Sequence, residues 1–274
     1  ENKKKFEDGF PAEFIAEGQD QTRAWFYYLH VLSTALFKEI SFKNVIVNGI
    51  VLAEDGKKMS KKLQNYPDPN LILEKYGADA LRYYLASSPV MSAESLNFSE
   101  AGVREMFNKV VNTLANVLEF YLMFAGESQK AKGERQKSDN ILDRWILAKL
   151  QVLVKEVSEG LENYKLAEAS RPIEEFITEL SQWYVRRSRD RFKGDDEEDK
   201  QAALGTLREV LLALSKVMAP FTPFMAEKVW LAVSGEKESV HLEKWPEVDK
   251  KMRDEKIIEE MGLVRRVVES GLAL

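Results

Sequence analysis

The sequence predicts a mixed α/β segment followed by an all-α segment within a chain of 274 residues. Three observations support this prediction. A strand-like group precedes a helical pattern near the start, a mostly β-branched apolar run follows it, and apolar residues repeat every three or four positions from residue 107 onward. With 45% hydrophobic and 31% charged residues, the composition is ordinary for a globular chain, and the length suits two domains.

The first strand-like group is Phe-Ile-Ala at residues 14–16, and a polar turn follows it at residues 17–21. A helix is expected next, with one apolar face formed by Trp25, Leu29, Leu32 and Leu36. Strand, turn and helix in this order predict a crossover in a parallel sheet, whose ligands lie beyond the carboxyl ends of the strands. The local pattern equally allows Asp20 to be the N-cap of the helix, with Thr22 as the alternative.

The second strand-like run covers residues 45–52, where β-branched residues predict a strand pair buried in a sheet. Glu54-Asp55-Gly56 is typical of a turn, and a cluster of lysines follows at residues 57–62. Ammonium groups on flexible stems suit polyphosphates, so a nucleoside triphosphate is the expected ligand. For the lysines considered alone, a solvated basic turn is the alternative.

Lys58-Met59-Ser60-Lys61 resembles the KMSKS loop of class I aminoacyl-tRNA synthetases, with Lys62 in place of the last serine. The segments 14–29, 42–69 and 181–192 are similar, in the same order, to the isoleucyl branch of that family. The leucyl and valyl branches would be expected to differ in the sequence EGQDQTR at residues 17–23. The resemblance therefore implies the second half of a Rossmann-like catalytic domain followed by an anticodon-binding helical bundle.

The resemblance also implies the site residues. Amino-acid activation expels pyrophosphate, so cations must meet the negative charge that develops on the leaving phosphates. Lys58 and Lys61 are the expected catalytic residues. ATP is expected to contact Lys58, Met59, Ser60 and Lys61, and the aminoacyl adenylate is expected to contact Glu17, Gly18, Asp20 and Gln21.

ATP and Mg²⁺ are the expected cofactors, although this stretch shows no dedicated set of metal ligands. The sequence contains no cysteine, which excludes a thiolate zinc site in this segment. The implied partners are isoleucine, ATP and tRNA(Ile), and the full-length enzyme is expected to be a monomer.

One position departs from the family pattern. The family usually has glycine after the arginine of the first segment, whereas this chain reads Arg23-Ala24-Trp25. Alanine is a better helix former than glycine, so Ala24 is expected to lie in a helix.

Class I synthetases pair the KMSKS loop with a His-Ile-Gly-His motif, but the histidines here are His30 and His241, far apart in sequence. We therefore expect a chain that begins inside the catalytic domain, after the inserted editing domain, and that has little activity alone. A non-catalytic tRNA-binding fragment is one alternative function. A valyl or leucyl type of class I synthetase is the other.

The sequence predicts four segments: residues 1–66 as the catalytic half, 67–98 as a helical connection, 99–245 as the bundle, and 246–274 as the start of a junction region. Short helices are expected around Gly77, and Ser99 is expected to cap the next helix. Polar linkers are expected at residues 126–139 and 194–200. The apolar stripes of the bundle contain Phe107, Val110, Leu114, Val117, Leu118 and Tyr121; Ile141, Trp145, Ala148 and Val152; Ile173, Phe176, Ile177, Leu180 and Tyr184; and Leu204, Leu207, Leu211, Leu214 and Met218.

A basic and aromatic run within the bundle is a candidate RNA contact, through Arg186, Arg187, Arg189 and Arg191. The alternative is that these arginines form ion pairs with Asp190, Glu179 or Glu174. Trp183 and Tyr184 are assigned to packing, because aromatic residues at helical spacing are more often core residues.

The net charge of −5 gives no overall attraction to nucleic acid, so RNA contacts must use local basic patches. No apolar run reaches the roughly 20 residues of a membrane span, and the start is not a signal peptide. The sequence thus favours a cytoplasmic protein without a membrane partner.

Overall fold

The computed structural model describes residues 2–60, 62–125 and 138–272. Short parallel strand pairs lie in the first part of the chain, and helices form most of the remainder. The strands are β1 (Ala12–Gly18), β2 (Phe42–Asn48), β3 (Val51–Leu52) and β4 (Leu96–Asn97). The helices are α1 (Lys3–Gly9), α2 (Trp25–Phe37), α3 (Pro69–Ala86), α4 (Glu100–Met106), α5 (Thr113–Phe124), α6 (Ile141–Glu162), α7 (Leu166–Glu179), α8 (Arg189–Lys193), α9 (Glu197–Met218), α10 (Pro223–Ser234) and α11 (Glu255–Leu272).

The first part of the chain contains a parallel crossover. β1 pairs with β2 in parallel, in a register that runs from Ala12 opposite Phe42 to Gly18 opposite Asn48, and α2 connects the two strands. A 3₁₀ turn at Gln19–Arg23 separates β1 from α2. The predicted order of strand, polar turn and helix is confirmed.

The predicted burial of this region is wrong. Val45 in β2 is 44% exposed, and on the predicted apolar face of α2 Leu36 is 71% exposed. The buried residues of α2 are Phe26 and Ser33, and the Phe26 ring contacts that of Phe42 on β2. Among the described residues the β1–β2 pair has no further strand, so much of its surface and of α2 lies open to solvent.

The start of α2 also differs from the prediction. Ala24 has φ −136° and ψ −108°, so it lies outside the helix, at the N-cap position. Neither Asp20 nor Thr22 caps α2. The Trp25 N–H donates instead to the Gln21 side-chain oxygen at 3.0 Å, because the 3₁₀ turn brings that amide over the first turn of the helix.

The short helical pieces predicted around Gly77 and the predicted Ser99 cap are confirmed. Asp68 is the N-cap of α3, where its carboxylate accepts the Asn70 N–H at 2.9 Å. Gly77 has φ 79°, a left-handed conformation that favours glycine, and it divides α3 into two helical pieces. Ser99 caps α4 by accepting the Gly102 N–H.

The second piece of α3 docks on the turn between α9 and α10. The Asp79 carboxylate accepts the Met225 N–H at 2.6 Å, at the start of α10. Arg82 donates to the carbonyl oxygens of Pro220 at 2.9 Å and Phe221 at 3.3 Å, just after α9. We call these contacts the Asp79–Arg82 clasp. Burial raises the Asp79 pKa, against the opposing effect of the Met225 and Phe224 N–H donors.

The bundle encloses one large core, which includes the fully buried Leu114, Ile146, Ile173 and Leu211. The helical stripes predicted from residue 107 onward are confirmed, although Ile141 at the start of α6 is exposed. π-Helical segments at Phe107–Asn112 and Leu180–Val185 continue the paths of α4 and α7. Most of the predicted linker at 126–139 lies outside the described residues, and the second linker ends earlier than expected, because α9 begins at Glu197.

On α11, Ile257 and Met261 are buried, whereas Val264 is 49% exposed, so the predicted stripe is covered only at its beginning. None of the helices in the described ranges combines the length and apolar character that crossing a membrane would require.

Candidate functional site

The predicted adenylate-binding segment and the chain that leads on to the lysine loop leave the same edge of the β1–β2 sheet. Gly18 ends β1 directly opposite Asn48, which ends β2, so residues 17–21 and the chain after β2 both start at the carboxyl edge. Gly49 then passes very close to Glu94: a Cβ atom at position 49 would lie 1.7 Å from the Glu94 carbonyl oxygen. Only glycine fits there. The chain continues into β3, which pairs with β4, and then into the lysine loop.

The predicted adenylate-binding segment contains two kinds of residue. Glu17 and Asp20 are exposed and present their carboxylates to solvent. Gly18 and Gln21 serve the local structure: a Cβ atom on Gly18 would lie 2.7 Å from the Asp20 carboxylate, and the Gln21 amide donates to Asp20 while it accepts the Trp25 N–H. Asp20 is thereby held over the end of β1, where a ligand hydroxyl or ammonium group could reach it.

A tight turn delivers the lysine loop from β3. The Ala53 N–H donates to the Lys57 carbonyl oxygen at 2.8 Å, and Gly56 has φ 78°. The Asp55 carboxylate accepts the Lys57 N–H at 3.0 Å and forms an ion pair with the Lys57 ammonium group at 3.1 Å. The hydrogen bond from the Lys57 backbone has the largest effect and the contact with the Lys57 side chain the next largest. Together they hold the pKa of Asp55 below its ordinary value. The Lys57 ammonium group thus lies beside an acidic partner within the turn.

Lys58 has a different environment. Its main chain forms an antiparallel bridge with Leu52 of β3, while its side chain is exposed. Within the described residues no acidic side chain forms an ion pair with Lys58, so its ammonium group is available to an anion. Met59 and Ser60 are half-buried beside it. Lys61, the other predicted catalytic residue, lies outside the described residues.

Asn65 is a loop residue that the sequence analysis missed. Its side-chain oxygen accepts the Ser60 N–H at 2.9 Å, and its side-chain nitrogen donates to the Lys58 carbonyl oxygen at 3.2 Å. The available signal was an asparagine shortly after a turn, since asparagine side chains commonly bond to nearby main-chain groups.

In the predicted RNA-binding run, Arg186, Arg187 and Arg189 are exposed. The guanidinium group of Arg187 lies 5.3 Å from the centre of the Trp183 ring, and that of Arg265, from α11, lies 5.4 Å from it. Trp183 is half-buried and packs against the core. Arg265 of α11, which the sequence pattern did not indicate, lies over the same ring, but its guanidinium group is paired with the buried Glu179 carboxylate.

Arg191 does not belong to the RNA-binding surface that the sequence predicted. Its side chain is only 12% exposed, and its guanidinium group bonds to Asp143 on α6 at 2.8 and 2.9 Å and to Asp199 on α9. The guanidinium group is thus occupied inside the bundle and is not free for phosphate. An ion pair was the predicted alternative, but its partners are not Asp190, Glu179 or Glu174, because the side chain points between the first turns of α6 and α9.

The same cluster includes Tyr184, which is fully buried and donates its hydroxyl to Asp143 at 2.8 Å. The assignment of Tyr184 to packing is confirmed. Burial and then the Asp143 charge raise the Tyr184 pKa well above its ordinary value. Burial alone would lower the pKa of Arg191, but the hydrogen bonds to Asp143 and Asp199 outweigh it, and the pKa is raised. We call this cluster of Asp143, Tyr184, Arg191 and Asp199 the Arg191 ion network.

In residues 2–60, 62–125 and 138–272, no group of three or more His, Asp or Glu side chains is arranged to hold a metal ion. Mg²⁺ that accompanies ATP is commonly held by the phosphates with one or two carboxylates. Glu17 and Asp20 are exposed carboxylates of the chemical type that would hold such a magnesium ion.

Comparison with known families agrees with this geometry. Residues 1–97 match the class I tRNA synthetases of the I, L, M and V group, and residues 143–272 match the anticodon-binding domain of tRNA ligase. The chain belongs to the class I aminoacyl-tRNA synthetases. Among individual proteins, it is 48% identical over 269 residues to the isoleucine–tRNA ligase of Chlamydia trachomatis serovar D, with 92% of this chain and 26% of that protein covered.

A second relative is the isoleucine–tRNA ligase of Treponema denticola, which is 43% identical over 291 positions with all of this chain covered. The chain spans about a quarter of the length of these relatives, 26% in both cases. The family is therefore established for this chain, whereas these identities cover only about a quarter of a whole ligase.

Two solved structures share the fold. A leucyl-tRNA synthetase of Agrobacterium radiobacter K84, in a ternary complex with tRNA and LeuAMS, has a TM-score of 0.65 and 23% identity, with 89% of this chain and 29% of that chain covered. The methionyl-tRNA synthetase of Mycobacterium tuberculosis, in complex with methionyl-adenylate, has a TM-score of 0.68 and 22% identity, with 82% and 44% covered. The predicted fold class, part of a Rossmann-like catalytic domain joined to a helical bundle, is confirmed.

Proposed function

We propose that this chain is the part of an isoleucine–tRNA ligase that contributes the lysine loop and the anticodon-binding bundle. The observation that supports it most is the exposed ammonium group of Lys58, which has no ion-pair partner in the described part of the chain. Lys58 comes after β3, on the chain that leaves the same sheet edge as residues 17–21. The similarity to isoleucine–tRNA ligases supports the choice of amino acid.

The chemistry assigned to these residues follows from the charge of the reaction. When the isoleucine carboxylate attacks the α-phosphorus of ATP, the bond to pyrophosphate breaks and negative charge grows on the leaving oxygens. Lys58 and Lys61 would meet that charge with preorganised cations. Met59 and Ser60 would hold the loop against ATP, while Glu17 and Asp20 would accept hydrogen bonds from an α-ammonium or ribose hydroxyl.

The other predicted roles belong to the same proposal. Gly18 and Gln21 would shape the adenylate site through their contacts with Asp20. Mg²⁺ would bind together with ATP. The bundle would bind tRNA(Ile) through Arg186, Arg187 and Arg189. The predicted segments 1–66, 67–98, 99–245 and 246–274, the monomeric state and a cytoplasmic location remain proposals.

The test is ATP–pyrophosphate exchange with a panel of amino acids, on this chain and on a version extended at its amino end to the length of the ligases it resembles. We expect isoleucine-dependent exchange by the extended version and little exchange by the 274-residue chain. A preference for valine or leucine would favour the other branches. Tight tRNA binding without exchange for any amino acid would favour a non-catalytic RNA-binding protein.

The RNA contact has its own prediction. If Arg187 neutralises a tRNA phosphate, Arg187→Ala should weaken tRNA binding and reduce the slope of log affinity against log salt by about one. Its melting temperature should stay within a few degrees of the unmodified protein, because the side chain is exposed. Lys155→Ala, which removes an exposed cation on another helix paired with Glu159, is the matched control and should leave the salt slope unchanged.

A further inference from the structure

The Asn65 side chain spans the main chain on both sides of Met59. It accepts from the Ser60 N–H at 2.9 Å and donates to the Lys58 carbonyl oxygen at 3.2 Å, so one amide satisfies groups two residues apart. Asn65 is half-buried, and the Ser60 carbonyl oxygen also accepts the N–H groups of Leu63 at 3.1 Å and Gln64 at 3.0 Å. The chain after the loop thus folds back and holds it.

The main chain of Lys58 is therefore held on both sides, while its side chain has no ion-pair partner among the described residues. The Lys58 main chain is bridged to Leu52 of β3, and the Lys58 carbonyl oxygen accepts a hydrogen bond from the Asn65 side chain. The exposed ammonium group has no ion-pair partner among the described residues. A cation whose main chain is already placed loses less conformational freedom when it meets a developing charge, and small misplacements of a catalytic group can cost about 100-fold in rate.

We infer that Asn65 is a positioning residue for adenylate formation, which acts by holding the main chain from which Lys58 reaches the phosphates. The inference rests on the proposed function, because it assigns Asn65 a role through the Lys58 of that site. Asn65 itself need not touch substrate. If Asn65 only stabilised the turn, its loss would change stability without depending on Lys58.

The experiment is a double-mutant cycle on the extended ligase, with Asn65→Ala, Lys58→Ala and both together, measured by isoleucine-dependent pyrophosphate exchange. We expect Asn65→Ala to lower kcat about 10-fold to 100-fold with little change in the KM for isoleucine. The double variant should be no slower than Lys58→Ala alone, because without the ammonium group its placement no longer matters. Effects that multiply in the double variant would overturn the inference.

Leu63→Ala is the matched control, since Leu63 lies in the same segment and is 64% exposed. It should keep the exchange rate and the melting temperature. If Asn65→Ala lowers the melting temperature by more than a few degrees, the cycle is repeated with Asn65→Asp, which keeps the acceptor for the Ser60 N–H and loses the donor to Lys58. An Asn65→Asp variant as fast as the unmodified enzyme would also overturn the inference.

The two levels of the proposal fail in different ways. If the proposed function is wrong, the unmodified extended protein will show no isoleucine-dependent exchange. If only the role of Asn65 is wrong, that protein will exchange, Lys58→Ala will slow it, and Asn65→Ala will leave it unchanged or slow it independently of Lys58.

Discussion

Replacing Lys58 by alanine in the extended ligase is expected to raise the barrier to adenylate formation by roughly 2–4 kcal/mol. The reason is that the Lys58 ammonium group is exposed and has no ion-pair partner among the described residues, so its whole charge is available to the departing pyrophosphate. The melting temperature should hardly change, because the Lys58 side chain is exposed to solvent. Lys61→Ala is expected to have an effect of the same size. Isoleucine-dependent pyrophosphate exchange measures both.

Lys57→Ala is the matched control for this prediction. Lys57 is the adjacent lysine, but its ammonium group is paired with Asp55 at 3.1 Å. Its removal should leave the exchange rate within a few-fold of the unmodified enzyme. If Lys57→Ala slows exchange as much as Lys58→Ala, the loop acts through its total positive charge and the specific role of Lys58 is wrong.

Replacing Arg191 by alanine is expected to lower the free energy of unfolding by about 3–5 kcal/mol, because it leaves a buried carboxylate without its cation. Asp143 is fully buried and loses two hydrogen bonds from the guanidinium group. Denaturant unfolding of the 274-residue chain, followed by the far-UV signal of the helices, measures the loss. Arg189→Ala is the control: that side chain is exposed, and its removal should change stability by no more than about 0.5 kcal/mol.

The same network predicts a pH dependence. Hydrogen bonds from Arg191 lower the pKa of Asp199, so the folded state binds a proton there less readily than the unfolded chain. The stability from this pair is present above the ordinary aspartate pKa and is lost as the pH falls through the lowered value. Arg191→Ala should therefore show a weaker loss of stability toward acid than the unmodified chain. If the Arg191→Ala variant is stable and its tRNA affinity depends less steeply on salt, Arg191 contacts RNA instead.

The helices of the bundle could be predicted because their signal is local. An apolar residue at every third or fourth position fixes which face of α5, α6, α7 and α9 is buried, whatever the neighbours are. The loop at residues 57–62 was likewise visible as a short motif. The order of β1, turn and α2 also followed from a short stretch of sequence.

What could not be predicted depends on distant partners. Leu96 and Asn97 form a strand only because β3 lies beside them, and Arg191 is buried by Asp143, which lies 48 positions away. The exposure of α2 depends on which other elements cover the sheet. The spacing of apolar residues along α2 does not indicate those elements. Asn65 was missed because its two bonds are to main-chain groups, and no residue type at positions 58 and 60 signals them.

The Asp79–Arg82 clasp orients α3 relative to the bundle. An anion on α3 meets the start of α10, where free N–H groups carry partial positive charge, and a cation one turn later meets carbonyl oxygens just past the end of α9. Turned end for end, α3 would place each charge against its own sign. The donors and acceptors between α9 and α10 therefore match the orientation in which α3 packs on the bundle.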